Sequence, residues 1–114
     1  MNRYINKKWK IRISKTYSEA KNHIIVGKVL DCNSTFICIE SKTFHFGNVV
    51  NSLKEIREGK LDSRIIPWNR VEIIHELPTG FLFNNAELEK TDDGVIFNDG
   101  EIACQIVRLM DKRY

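Results

Sequence analysis

The chain has only two prolines and three cysteines among its 114 residues. Cys32, Cys38 and Cys104 are odd in number, lack C-x-x-C spacing and have no histidine within four residues. That pattern indicates neither a disulfide framework nor a zinc site, and Cys38 and Cys104 fall inside alternating apolar segments, where cysteine acts as a small hydrophobe. No apolar run approaches the roughly 18 residues that span a bilayer. The start, Met1-Asn2-Arg3-Tyr4-Ile5-Asn6-Lys7-Lys8, has no apolar stretch behind its basic residues and so differs from a secretory signal. A cytoplasmic protein with no membrane partner is the expectation. Repeats and low-complexity tracts are missing, as are a phosphate loop, a nucleophile with its base and a metal constellation. No enzyme, no cofactor, no metal site and no small-molecule substrate are expected.

What is present is ordinary globular chemistry, with 42% apolar and 29% charged residues, in a length that suits one domain. The net charge of +3 conceals a lopsided distribution. Residues 1–18 carry Arg3, Lys7, Lys8, Lys10, Arg12 and Lys15 with no acid, whereas residues 84–101 carry six acids against Lys90 alone. Cations interleaved with Tyr4, Trp9 and Tyr17 suit contact with phosphates and stacking of bases. The same pattern suits a solvated strand face, or opposite ends that attract each other or a neighbouring subunit.

Along the chain, Trp9 to Ser14 alternates with period two, with Trp9, Ile11 and Ile13 on one face and Lys10 and Arg12 on the other. His23 to Asp31 is rich in β-branched residues and predicts a second strand. Gly27 within it implies a bend, a bulge or the close approach of another backbone. Beyond the turn at Asp31-Cys32-Asn33-Ser34, residues 35–40 and 43–47 predict two more strands, separated by Ser41-Lys42. Val49, Val50, Leu53 and Ile56 change to helical spacing, with a capping box at Ser52-Leu53-Lys54-Glu55 and Gly59 beyond it, predicting a short helix. Arg64-Ile65-Ile66 and Val71 to Leu77 are strands joined at a tight corner, because Pro67 cannot donate to a ladder. After Pro78-Thr79-Gly80, residues 84–94 are acidic and turn-rich. Val95-Ile96-Phe97, Asn98-Asp99-Gly100 and Ile102 to Leu109 then predict a β-hairpin.

The order of Trp9 to Ser14, Ile24 to Asp31 with its Gly27-Lys28-Val29 step, Thr35 to Glu40 and a corner into Val71 to Glu76 resembles the Sm-like family over about residues 3–77. The resemblance implies a mainly β fold: a small, strongly bent, five-stranded Sm-like (SH3-like) barrel over residues 1–77. One short inserted helix falls in residues 48–63, and a C-terminal β-hairpin extension over residues 78–114 packs on the barrel or on a neighbouring subunit. It further implies ring-forming homo-oligomers, in which Arg64, Ile65 and Ile66 of one subunit pair with Val71, Ile73 and Ile74 of the next. An exposed apolar edge strand is in any case a hazard until something covers it, and a heterologous interface that closes covers it.

Binding of single-stranded RNA or DNA is the family's other implication, here through Asn33, Trp68, Asn69 and Arg70, to which the basic N-terminal stretch adds Lys7, Lys8, Lys10 and Arg12. The chain departs from the family pattern where Ile37 replaces an expected Asn and where Pro67-Trp68-Asn69-Arg70 lacks an Arg-Gly step. Trp68 equally suits a barrel cap or an interface anchor. His45 and His75, with no carboxylate or thiol at ligand spacing, suit structural roles. Asp92, Asp93 and Asp99 suit a solvated turn without a calcium-loop pattern. Two functions follow: a non-enzymatic ring that binds single-stranded nucleic acid, and an oligomeric scaffold or adaptor, bacterial or phage in origin, whose basic and acidic ends meet across subunits.

Overall fold

The computed structural model describes residues 2–108; Met1 and the expected continuation of the C-terminal element through Leu109 to Tyr114 lie outside them. The strands are β1 (Lys8–Ile13), β2 (Asn22–Cys32), β3 (Phe36–Phe46), β4 (Arg57–Glu58), β5 (Asp62–Pro67), β6 (Val71–Leu77), β7 (Glu87–Thr91), β8 (Gly94–Asn98) and β9 (Ala103–Arg108). They form a six-stranded sheet of order β4-β3-β2-β1-β6, in which β5 also pairs with β3, and a three-stranded sheet of order β7-β8-β9. Every pairing is antiparallel. Among the described residues no helix is long and apolar enough to cross a membrane.

The six-stranded sheet is open, which overturns the expected Sm-like, SH3-like barrel. The corner at Pro67 is real, but β5 runs along β3 and β6 runs along β1, and no ladder joins β5 to β6. Around the three-residue 3-10 turn Trp68–Arg70, the Trp68 N–H donates to Thr35 O at 3.2 Å and the Ser14 N–H donates to Arg70 O at 2.8 Å. These bonds tie the corner to other segments. Apolar alternation identifies a strand without choosing its neighbour, and here the neighbours lie at opposite ends of the sheet.

Three smaller expectations are also corrected. Residues 36–46 form one continuous strand, because Ser41 keeps the alternation and is fully buried opposite Gly27 and Asp62. The helix expected within residues 48–63 is only the 3-10 turn Leu53–Glu55, whose Ser52 makes no capping bond. So short a segment cannot offset helix nucleation, and Val50 and Ile56 are instead buried in the core. The acidic stretch contains β7, whose half-buried Leu88 packs on that core, so the predicted hairpin of β8 and β9 gains a third strand.

The large sheet is buried on both faces. Ile24 and Val26 of β2 and Phe44 and Phe46 of β3 point toward the small sheet and meet Val95, Phe97, Cys104 and Ile106. Phe97 lies edge-on to Phe44 at 4.9 Å and to Phe81 at 5.9 Å, contacts worth about 0.5–1.5 kcal/mol each beyond area burial. The opposite face carries Trp9, Ile11, Ile13, Ile25, Val29, Ile37, Ile39 and Ile66, with Tyr4, Trp68, Val71 and Ile74 against them.

Gly27 marks a close approach of backbones. A Cβ there would stand 2.0 Å from Glu40 O and 2.7 Å from Ser41 Cα, and neither backbone group can move without breaking the β2–β3 ladder. Gly27→Ala is expected to lower stability by about 2–4 kcal/mol, read as a fall in the urea midpoint; an unchanged midpoint would contradict the packing.

Candidate functional site

The residues expected to contact nucleic acid are largely engaged within the protein. Because Trp9, Ile11 and Ile13 fill one core, Lys8, Lys10 and Arg12 of β1 face the other way, toward the small sheet rather than solvent. Lys8 Nζ donates to Thr79 O at 2.7 Å and Phe81 O at 3.0 Å, and Lys10 Nζ donates to Gln105 O at 2.9 Å. Burial pulls the Lys10 ammonium below the ordinary lysine value and pushes the neighbouring Cys104 thiol up to about 11. Arg12 donates to Asn22 Oδ1 at 3.2 Å, and Lys7 pairs with Glu76 at 3.3 Å.

A second group is brought together at the corner. Asn33 Oδ1 accepts the N–H groups of Thr35 and Phe36 at 2.8 and 2.9 Å. The Trp68 indole donates to Asn33 O at 2.6 Å, and Arg70 donates to Ser14 O at 3.1 Å. Asn69 is exposed beside them. Asn33 and Trp68 therefore meet, as a clasp between the turn after β2 and the corner, and the lysines of β1 lie elsewhere.

The expected interface residues divide by register. Ile66 is buried and Val71 and Ile74 pack on the core, whereas Ile65 is 67% and Ile73 46% exposed. Arg64 reaches back to the carbonyls of Ser41, Lys60 and Asp62. Among the described residues each of β5 and β6 is paired along one side only, so two sheet edges, each with one exposed isoleucine, lie on either side of the 3-10 corner. Beside β5 and the corner opens a cleft of about 370 Å³, lined by Ile13, Ile25 and Ile66 together with His23, Arg64 and Arg70.

Sequence reasoning missed the pair that links this cleft to the rest of the face. His23 and His45 are directly opposite in the β2–β3 register and stack at 3.9 Å between ring centroids. The only available signal was positional, since both precede β-branched or aromatic residues of the core at equivalent places in adjacent strands. His23 Nε2 is buried with no hydrogen-bond partner among the described residues. Burial, with smaller contributions from His45, Arg64 and Arg70, holds the His23 imidazole down at about 4, and burial likewise lowers His45. Both rings are neutral near pH 7. His75, by contrast, is exposed on β6. Among the described residues no group of three His, Cys, Asp or Glu is placed to hold a metal ion.

The neutral stack makes stability depend on pH. The unfolded chain takes up a proton at His23 as pH drops through about 6.5, the folded chain only near 4. Stability is therefore full above pH 6.5 and falls as pH approaches 4. After discounting for solvent screening at a half-exposed ring, the loss at His23 is about 1–2 kcal/mol. Urea midpoints at pH 7.5 and 4.5 should differ less in His23→Gln than in the parent chain; an equal difference would refute the assignment.

Comparison with protein-family models, with curated proteins and with solved structures finds no match in any of the three.

Proposed function

We propose that the protein is a non-enzymatic scaffold module that assembles head to tail, β5 of one copy adding to β6 of the next. The observation that supports this is the pair of unpaired edges on one sheet, each displaying an exposed isoleucine, Ile65 at 67% and Ile73 at 46%. Two of the other edges fit less well. β4 has only two residues, and β7 displays Glu87, Glu89 and Lys90, charges of the kind that keep an edge from pairing. Adding a strand at β5 or β6 satisfies main-chain donors and acceptors while covering apolar surface. Because β5 and β6 are different surfaces, their pairing is heterologous, and closure of the chain of copies removes both edges.

The internal engagement of Lys8, Lys10 and Arg12 favours this reading over one in which those cations grip a nucleic-acid strand. Light scattering behind size exclusion is expected to show a defined oligomer. The double substitution Ile65→Lys, Ile73→Lys is expected to reduce it to monomer with an unchanged circular dichroism spectrum. A monomeric parent chain, or an oligomer indifferent to the double substitution, would overturn the proposal.

A further inference from the structure

On the same face of the large sheet, the His23–His45 stack lies in a field of positive charge that no sequence segment foreshadows. His45 lines a second cleft of about 580 Å³ together with Lys21, Gly47, Lys54, Glu55 and Arg57. Its three cations come from three separate places. Lys21 immediately precedes β2, Lys54 sits in the 3-10 turn Leu53–Glu55, and Arg57 is held on β4 in register opposite His45. None of the three has a carboxylate within ion-pair distance among the described residues, where the ion pairs are Lys7–Glu76 and Lys42–Glu58. The one acid in the cleft, Glu55, accepts the Asn51 N–H at 3.1 Å. Glu58, next to Arg57, is taken by Lys42 at 3.4 Å. A Cβ built on Gly47 would meet nothing within 4 Å, so the wall stays open beside the cations.

We infer that this cleft binds a phosphate oxyanion, held by Lys21, Lys54 and Arg57 against the edge of the His45 ring. Three cations lining one cleft match an oxyanion with several acceptor oxygens, and the Arg57 guanidinium provides a planar fork that can take two of them at once. The imidazoles report the same imbalance from the inside. Beyond burial, His45 is lowered by Arg57 and Lys21 of this cleft and then by Arg64, whereas His23 is lowered by His45 and then by Arg64 and Arg70 of the neighbouring cleft. Cations that crowd two neutral rings without a counter-charge repel one another, and an anion in the cleft relieves that repulsion. The phosphate can belong to a free small molecule or to the backbone of a nucleic-acid strand; the chemistry of capture is the same.

The test is a titration of the full chain, labelled for NMR, with pyrophosphate and separately with an oligothymidylate. Saturable shifts of the His45 ring and the Gly47 amide are expected, weakening as salt rises. Arg57→Gln and Lys54→Gln are each expected to weaken binding by about tenfold, with Lys28→Gln, on β2 opposite Glu40, as an unaffected control. Response to pyrophosphate assigns a free phosphate compound as sufficient, and response to the oligonucleotide alone assigns a strand backbone; either supports the site. No shift with either titrant, shifts centred elsewhere, or affinities unchanged in both variants would overturn it. Repeating the titration on the Ile65→Lys, Ile73→Lys chain separates the site from assembly, since the cleft contains neither residue.

Discussion

The β2–β3 ladder is the constraint on which the rest of the structure depends. It runs from Asn22 opposite Phe46 to Cys32 opposite Ile37, with one irregularity between Val29 and Asp31. Its two strands feed both cores. Alternate residues send Ile24, Val26, Phe44 and Phe46 to the small sheet and Ile25, Val29, Ile37 and Ile39 to the opposite face. A slip of one residue would exchange the two sets. Gly27 adds to this specification, because the ladder approaches so closely there that no side chain fits.

Two faces buried on one sheet create a polar problem that β1 solves. Its inward set, Trp9, Ile11 and Ile13, leaves Lys8, Lys10 and Arg12 facing the small sheet, where a buried ammonium is costly unless it is hydrogen-bonded. Main-chain carbonyls of Thr79, Phe81 and Gln105 take those hydrogens. Lys42 of β3 adds to the same layer, lying 5.5 Å from the centre of the Phe97 ring. Lys10 thus clamps the large sheet to β9, Lys8 holds the segment that follows β6, and Arg12 bonds within the large sheet, with the aliphatic stems lying along apolar neighbours.

Once both faces are occupied, the sheet can present only its edges and its margins to other molecules. The edges β5 and β6 carry the exposed isoleucines, and the margin beyond the second core carries the histidine stack with its surrounding cations. The two features differ in physics. Edge pairing relies on directional main-chain bonds and buried apolar area, which tolerate salt, whereas the cationic cleft relies on charge and is screened by it.

Much of the local structure was legible in the residues themselves. The alternation in Trp9 to Ser14 and in the segments before and after the Asn33 turn marks β1, β2 and β3. Pro67 marks a corner, and Asn98-Asp99-Gly100 marks a hairpin, whose Asp99 carboxylate takes the N–H groups of Glu101 and Ile102 and whose Gly100 has φ 105°. These follow from side-chain period and backbone preference, which act over a few residues. Strand partners did not follow: the sheet stays open because β5 and β6 found β3 and β1, a choice made by contacts far apart in the chain. Nor did the fate of the basic residues, since alternation places Lys8 and Lys10 opposite the apolar set without saying whether water or a second sheet lies there. The convergence of His23 with His45, and of Lys21, Lys54 and Arg57 around them, depends on register and a turn. The sequence by itself determined β1, β2, β5, β6, the Pro67 corner and the Asp99-Gly100 turn, through local period and backbone preference, while β7 and the fate of residues 48–63 escaped it. Only the tertiary structure decided which edges stay free and which charges meet, because those depend on long-range pairing that no single segment encodes.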